Sequence, residues 1–139
     1  MPSVRHALPA DRDFWFSLDR HLPGDLFEQK ILLRQAYVLT LDAPVGLLRY
    51  HLFWDSIPFC SLLYIQEGYR GRGFGRMLMD FWETEMREAG HDLLLTSTQS
   101  DEEAQHFYRA LGYRDCGAFI LPFPGYEQSA ELILGRKIK

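Results

Sequence analysis

The chain predicts an α+β domain of the α/β/α type. Six to seven strands form a mixed central sheet with about four helices around it, in the order β-α-α-β-β-β-α-β-α-β-β. Three observations predict it. An apolar run, Ser61 to Ile65, passes through a glycine- and arginine-rich loop into a helical pattern opening at Phe74 or Gly75. A serine followed three positions later by glutamate, Ser100 to Glu103, reads as a capping box before another helical pattern. In the N-terminal half, successive β-type runs are separated by turn residues.

Taken in order, Val4 to Leu8 suits a short first strand. Asp11 to Leu22 reads as a helix broken by Pro23-Gly24, and Asp25 to Glu28 caps a second helix to about Arg34. Tyr37 to Leu41, Val45 to Phe53 and Pro58 to Ile65 follow as strands, with Asp42-Ala43-Pro44 and Trp54-Asp55-Ser56 as turns. In the third helix Phe74, Met77, Leu78, Phe81, Trp82, Met86 and Ala89 form one apolar stripe, with Gly90 as its C-cap. Leu93 to Thr96 is short enough for a buried strand. Ala104, Phe107, Tyr108 and Leu111 continue at helical spacing to Gly112. Tyr113 to Leu121 and Ala130 to Ile138 suit a last hairpin.

At 139 residues the chain reads as one domain, residues 1–139. Its 47% apolar and 14% aromatic content makes it globular. No apolar run approaches the roughly 20 residues of a membrane span, so no membrane partner is expected. The first residues are polar where a signal peptide would be apolar, so a cytoplasmic setting is expected. Cys60 and Cys116 are then reduced, with Cys60 in a buried strand. A net charge of −4 without a basic stripe argues against nucleic acid. The five histidines lack metal-ligand spacing, so no metal is expected.

The loop carries the chemistry. Gly71, Gly73 and Gly75 alternate with Arg70, Arg72 and Phe74, and no acid lies between Glu67 and Asp80. A strand, a glycine loop and a helix N-terminus in that order make an anion site, because free N–H groups converge there and the helix dipole adds positive charge. A nucleotide P-loop would need a lysine and a hydroxyl after its last glycine, and Gly75 is followed by Arg76 and Met77. A dinucleotide fold would need G-x-G-x-x-G after a first strand, whereas this G-x-G-x-G stands in mid-chain.

The remaining pattern, Arg70-x-x-Gly73-x-Gly75, resembles the pyrophosphate motif of the GNAT N-acetyltransferases, which hold coenzyme A. Ala104 to Tyr113 resembles their second signature, A-x-x-F-Y-x-x-x-G-[FY]. The likeness runs along essentially the whole chain and is strongest from Pro58 to Tyr113.

The resemblance implies acetyl transfer from acetyl-coenzyme A to a small-molecule or peptide amine, without a covalent enzyme intermediate. The backbone of Arg70, Gly71, Arg72, Gly73, Phe74, Gly75 and Arg76 would bind the diphosphate. Leu63, Tyr64 and Ile65 map to the strand edge that pairs with the pantetheine arm and polarises the thioester carbonyl. Tyr108 matches the tyrosine that protonates the departing thiolate, or else is a core aromatic. Asp101 stands where the family often has an asparagine near the cofactor; an N-terminal helix residue is the alternative.

The base for the acceptor ammonium is left open. Some family members carry a strand glutamate eleven residues before the Arg70 position, which here is Phe59; Ser61 is the next polar residue. Asp55, Glu28 and a water chain are the candidates. Phe27, Trp54, Phe123 and Tyr126 are candidate walls of the acceptor cleft, or ordinary packing. A non-catalytic acyl-coenzyme A sensor or scaffold is the rival reading, and a homodimer is left open.

Overall fold

The computed structural model describes all residues, Met1–Lys139. Seven strands and four helices form the expected mixed α+β fold with a seven-stranded sheet. The strands are β1 (Ser3–His6), β2 (Ala36–Thr40), β3 (Pro44–Phe53), β4 (Ile57–Ile65), β5 (Leu93–Gln99), β6 (Arg114–Phe119) and β7 (Glu131–Lys137). The helices are α1 (Arg12–Leu18), α2 (Phe27–Leu32), α3 (Phe74–Glu88) and α4 (Ala104–Ala110). The chain forms two compact units, residues 1–51 with 60–85, and residues 52–59 with 86–139.

In the first unit β1, β2 and β3 are antiparallel, with Val4 opposite Leu39 and Val38 opposite Leu47. Trp15 of α1 and Phe27 of α2 are fully buried, and their rings lie 5.5 Å apart. With Ala7, Ala36, Val38 and Leu47 they form one apolar cluster, against which Leu62 packs. Phe27 is therefore core, not a wall of an open cleft.

Two helices end earlier than the sequence periodicity suggests. Helix α1 stops at Leu18 because the carboxylate of Asp19 accepts the N–H groups of His21 and Leu22, which turns the chain out of the helix. Helix α2 stops at Leu32, and Arg34 takes a left-handed φ of 57°. The stripe of α3 is also shifted: Phe74, Leu78, Met79, Trp82, Glu83 and Met86 are the buried set, while Met77 and Phe81 are half-buried.

In the second unit β7 lies between β5 and β6, antiparallel to both. Helix α4 begins at Ala104 without a side-chain cap from Ser100. Ser100 is still tied to the sheet, its N–H donating to the Ala130 carbonyl at 2.7 Å. The carboxylate of Glu102 instead accepts the Gln99 N–H at 2.7 Å. Cys60 is buried, Cys116 is exposed, and both are free thiols. No helix is long and apolar enough to cross a membrane.

Candidate functional site

Gly71 and Gly73 take φ of 77° and 82°, a region that residues with a Cβ rarely adopt. At both positions the space where a Cβ would stand is open. The loop therefore offers bare backbone to a ligand. The Met77 N–H donates to the Gly73 carbonyl at 3.1 Å and closes the first turn of α3. The amides of Phe74, Gly75 and Arg76 thus belong to the turn whose N–H groups have no intrahelical acceptor. The Phe74 side chain is buried and anchors the helix start, leaving its amide as the group available to a ligand.

The arginines are more than solvated charges. Arg70 donates from Nε to the Ile65 carbonyl at 2.9 Å, and its guanidinium lies 5.0 Å from the centre of the Tyr64 ring. The side chain thus ties the loop to the end of β4 and brings Tyr64 and Ile65 to the phosphate-loop candidates. Arg72 donates to the Gly68 carbonyl at 3.3 Å and lies over the Tyr69 ring at 5.4 Å. Both arginines and Arg76 remain exposed, and so does Glu67.

Leu63 and Ile65 are half-buried and Tyr64 is 37% exposed. Ser61 bonds His51, while the next residue, Leu62, packs on the cluster that includes Leu47.

In the second unit Tyr108 is buried at 5% exposure on α4, with its ring 5.3 Å from Phe107 and 5.8 Å from Tyr113. Its carbonyl accepts the Tyr113 N–H at 3.0 Å, which fixes the helix end around Gly112. His106 is exposed. Asp101 lies in the turn ahead of α4, not in the helix, and is exposed. Trp54, Phe123 and Tyr126 are exposed, by 77%, 58% and 66%. Asp55 sits in the turn before β4, and Glu28 is paired with Arg12 at 2.7 Å. No group of three or more His, Cys, Asp or Glu side chains is placed to hold a metal.

Several polar residues of the first unit escape a sequence reading. Asp19 is buried against Arg49, Lys30 of α2 donates to the Tyr50 carbonyl at 2.6 Å, and His51 meets Ser61 at 2.6 Å. Burial, with Arg49 nearby, pulls the Lys30 pKa down to about 8. Strand alternation places Arg49 and His51 on one face, but no motif marks them.

A family model described as the acetyltransferase (GNAT) family matches residues 5–113. No curated protein sequence matches the chain. Solved structures do. Ard1 from Thermoplasma volcanium is similar with a TM-score of 0.87 at 18% identity, over 99% of this chain and 98% of that one. The ribosomal-protein-S18-alanine N-acetyltransferase from Escherichia coli gives 0.82 at 15% identity, over 100% and 95%. The protein yncA from Salmonella typhimurium, solved with its cofactor acetyl-CoA, gives 0.79 at 16% identity, over 100% and 95%. At these identities the likeness is one of fold.

Proposed function

Because the chain belongs to the acetyltransferase (GNAT) family, we propose that it is an N-acetyltransferase, a single domain over residues 1–139. It moves an acetyl group from acetyl-coenzyme A to a primary amine by direct transfer. The observation that carries this reading is the Arg70 to Arg76 loop, with bare backbone at Gly71 and Gly73 ahead of α3. A diphosphate suits that cradle in shape and charge. The neighbour solved with acetyl-CoA supports the same choice of cosubstrate.

In this reading the amides of Arg70, Gly71, Arg72, Gly73, Phe74, Gly75 and Arg76 bind the diphosphate. Leu63, Tyr64 and Ile65 hold the pantetheine arm with backbone groups, and one N–H polarises the thioester carbonyl. Bound acetyl-coenzyme A supplies the thioester. Tyr108 is assigned the proton for the departing thiolate, since its phenol O–H can donate as charge develops on the sulfur. Asp101, exposed in the turn before α4, is a cofactor contact at most at its edge. The setting proposed is cytoplasmic, in keeping with two free thiols.

The test has two arms. Coenzyme A at about a hundred times its dissociation constant should add about 2.7 kcal/mol of stability and raise the melting temperature. Release of free thiol from acetyl-coenzyme A with a panel of amines should follow. A melting shift with ATP or NAD and none with coenzyme A rejects the cosubstrate. Phe59, packed 6.0 Å from Phe53 where some family members place a carboxylate, favours a second reading as a non-catalytic acyl-coenzyme A binder. Binding without thiol release across the panel selects that reading.

A further inference from the structure

Direct transfer to an amine needs a group that takes a proton from the acceptor ammonium, and the carboxylates named above serve it poorly. Glu28 is held by Arg12. Asp55 precedes the start of β4, whereas Leu63 lies near its end. Between β3 and β4, however, Nδ1 of His51 lies 2.6 Å from Oγ of Ser61. That is the short end of hydrogen-bond distances. Ser61 is two residues from Leu63 along the strand, roughly 6.6 Å at the usual rise.

We propose, resting on the acetyl-transfer reading, that Ser61 and His51 form the relay that deprotonates the acceptor. The acceptor ammonium gives a proton to Ser61 Oγ as the Ser61 hydroxyl proton passes to Nδ1 of His51. The products are a neutral amine, an intact serine hydroxyl and an imidazolium. The amine lone pair then forms the C–N bond to the thioester carbon. The C–S bond breaks, the electron pair leaves on sulfur, and the thiolate is protonated. The amide nitrogen loses its second proton to solvent.

The surroundings of His51 keep it ready to accept. The relay requires the tautomer in which Nδ1 is unprotonated and accepts from the Ser61 hydroxyl, with the ring proton on Nε2. The charged groups facing it are Lys30 from α2 and Arg49 on β3, with Ser61 opposite on β4. Arg49 is paired with Asp19 at 2.7 Å. Partial burial, then the charges of Lys30 and Arg49, hold the imidazole below its ordinary pKa. It is therefore neutral at pH 7, and its exposed position lets the added proton pass on to solvent.

The experiment measures kcat/KM against pH for the parent, His51→Gln and Ser61→Ala. The acceptors are spermidine and a tetrapeptide with a free α-amino group. Cofactor binding is followed separately by the melting shift with coenzyme A. His51→Gln should lose about a hundredfold at pH 7 with an unchanged melting shift. The loss should shrink tenfold per pH unit as the amine deprotonates by itself, which a merely structural defect would not produce. Ser61→Ala should show the same slope with a smaller loss, and it carries the test if His51→Gln does not fold. Both variants within threefold of an active parent, with its pH profile, overturn the relay while leaving acetyl transfer intact. A parent that neither binds coenzyme A nor releases thiol overturns acetyl transfer, and the relay falls with it.

Discussion

Oδ2 of Asp19, at the end of α1, lies 2.7 Å from Nε of Arg49 on β3. The Asp19 side chain is fully buried and that of Arg49 is 12% exposed. Asp19 also accepts the indole N–H of Trp15 at 2.9 Å and the backbone N–H groups of His21 and Leu22. One carboxylate thus ends a helix, holds a core indole and pairs with the strand arginine beside His51.

Asp19→Ala should therefore cost about 3–5 kcal/mol, because it strands a buried guanidinium. Adding Arg49→Met should recover a large part of that loss, and denaturant titration of the double-mutant cycle measures it. Burial by itself would raise the Asp19 pKa. The hydrogen bond and charge of Arg49, with two backbone donors, outweigh it and hold the carboxyl below its usual value. Its contribution is then present above the unfolded pKa near 3.9 and is lost as pH falls through the lower folded value. The parent should lose stability in acid more steeply than the double variant.

Gly46→Ala should destabilise the β3–β4 pair by about 1–3 kcal/mol, the usual cost of overpacking. A Cβ there would stand 2.7 Å from Cδ1 of Ile65 and 3.4 Å from Cδ1 of Leu78. Ile65→Val removes the nearer atom, so the double variant should be more stable than the sum of the two singles. Strict additivity in thermal melts would show that the backbone moves instead.

The hairpin between β3 and β4 turns on Trp54 and Asp55, at φ of 55° and 60°. Such turns favour Asn-Gly, and a bulky residue at positive φ carries strain. Trp54→Asn with Asp55→Gly should raise the melting temperature by several degrees. Should the exposed indole serve the acceptor, KM for the amine rises while coenzyme A binding stays. No thermal gain would mean that the contact of Trp54 with Phe53, 4.7 Å between ring centres, offsets the strain.

Gly73→Asp should abolish coenzyme A binding and leave the chain folded. The side chain would enter open space where the diphosphate is proposed to lie, and its charge would repel it. The residue's φ of 82° adds a modest strain cost. Calorimetric titration decides it, and binding as tight as the parent's would remove the loop from the site.

Tyr108→Phe should keep cofactor affinity within a few-fold and lower turnover by roughly a hundredfold. The ring contacts with Phe107 and Tyr113 survive the change, so only the hydroxyl is tested. Steady-state kinetics under conditions where chemistry limits the rate provide the measurement. An unchanged turnover returns Tyr108 to the role of a core aromatic.

What the sequence determined by itself is local. Gly90 and Gly112 mark helix ends that turn left-handed, and both do so. The α3 helix, the turn at 54–56 and the two signatures are readable because each depends on neighbours in the chain, whereas the turn expected at 42–44 falls at 41–43 with Pro44 already in β3. Tertiary structure decided the partners. Ser100 does not cap α4, which begins four residues later at Ala104, and its N–H, which a capping-box glutamate would accept, is donated instead to the Ala130 carbonyl. Met79 and Glu83 are buried because α3 meets its surroundings along a stripe rotated from the simplest periodic reading. His51 and Ser61 stand ten residues apart, and Asp19 and Arg49 thirty apart. Their meeting depends on strand register and helix docking, and a shift of one residue would have sent each strand side chain to the other face.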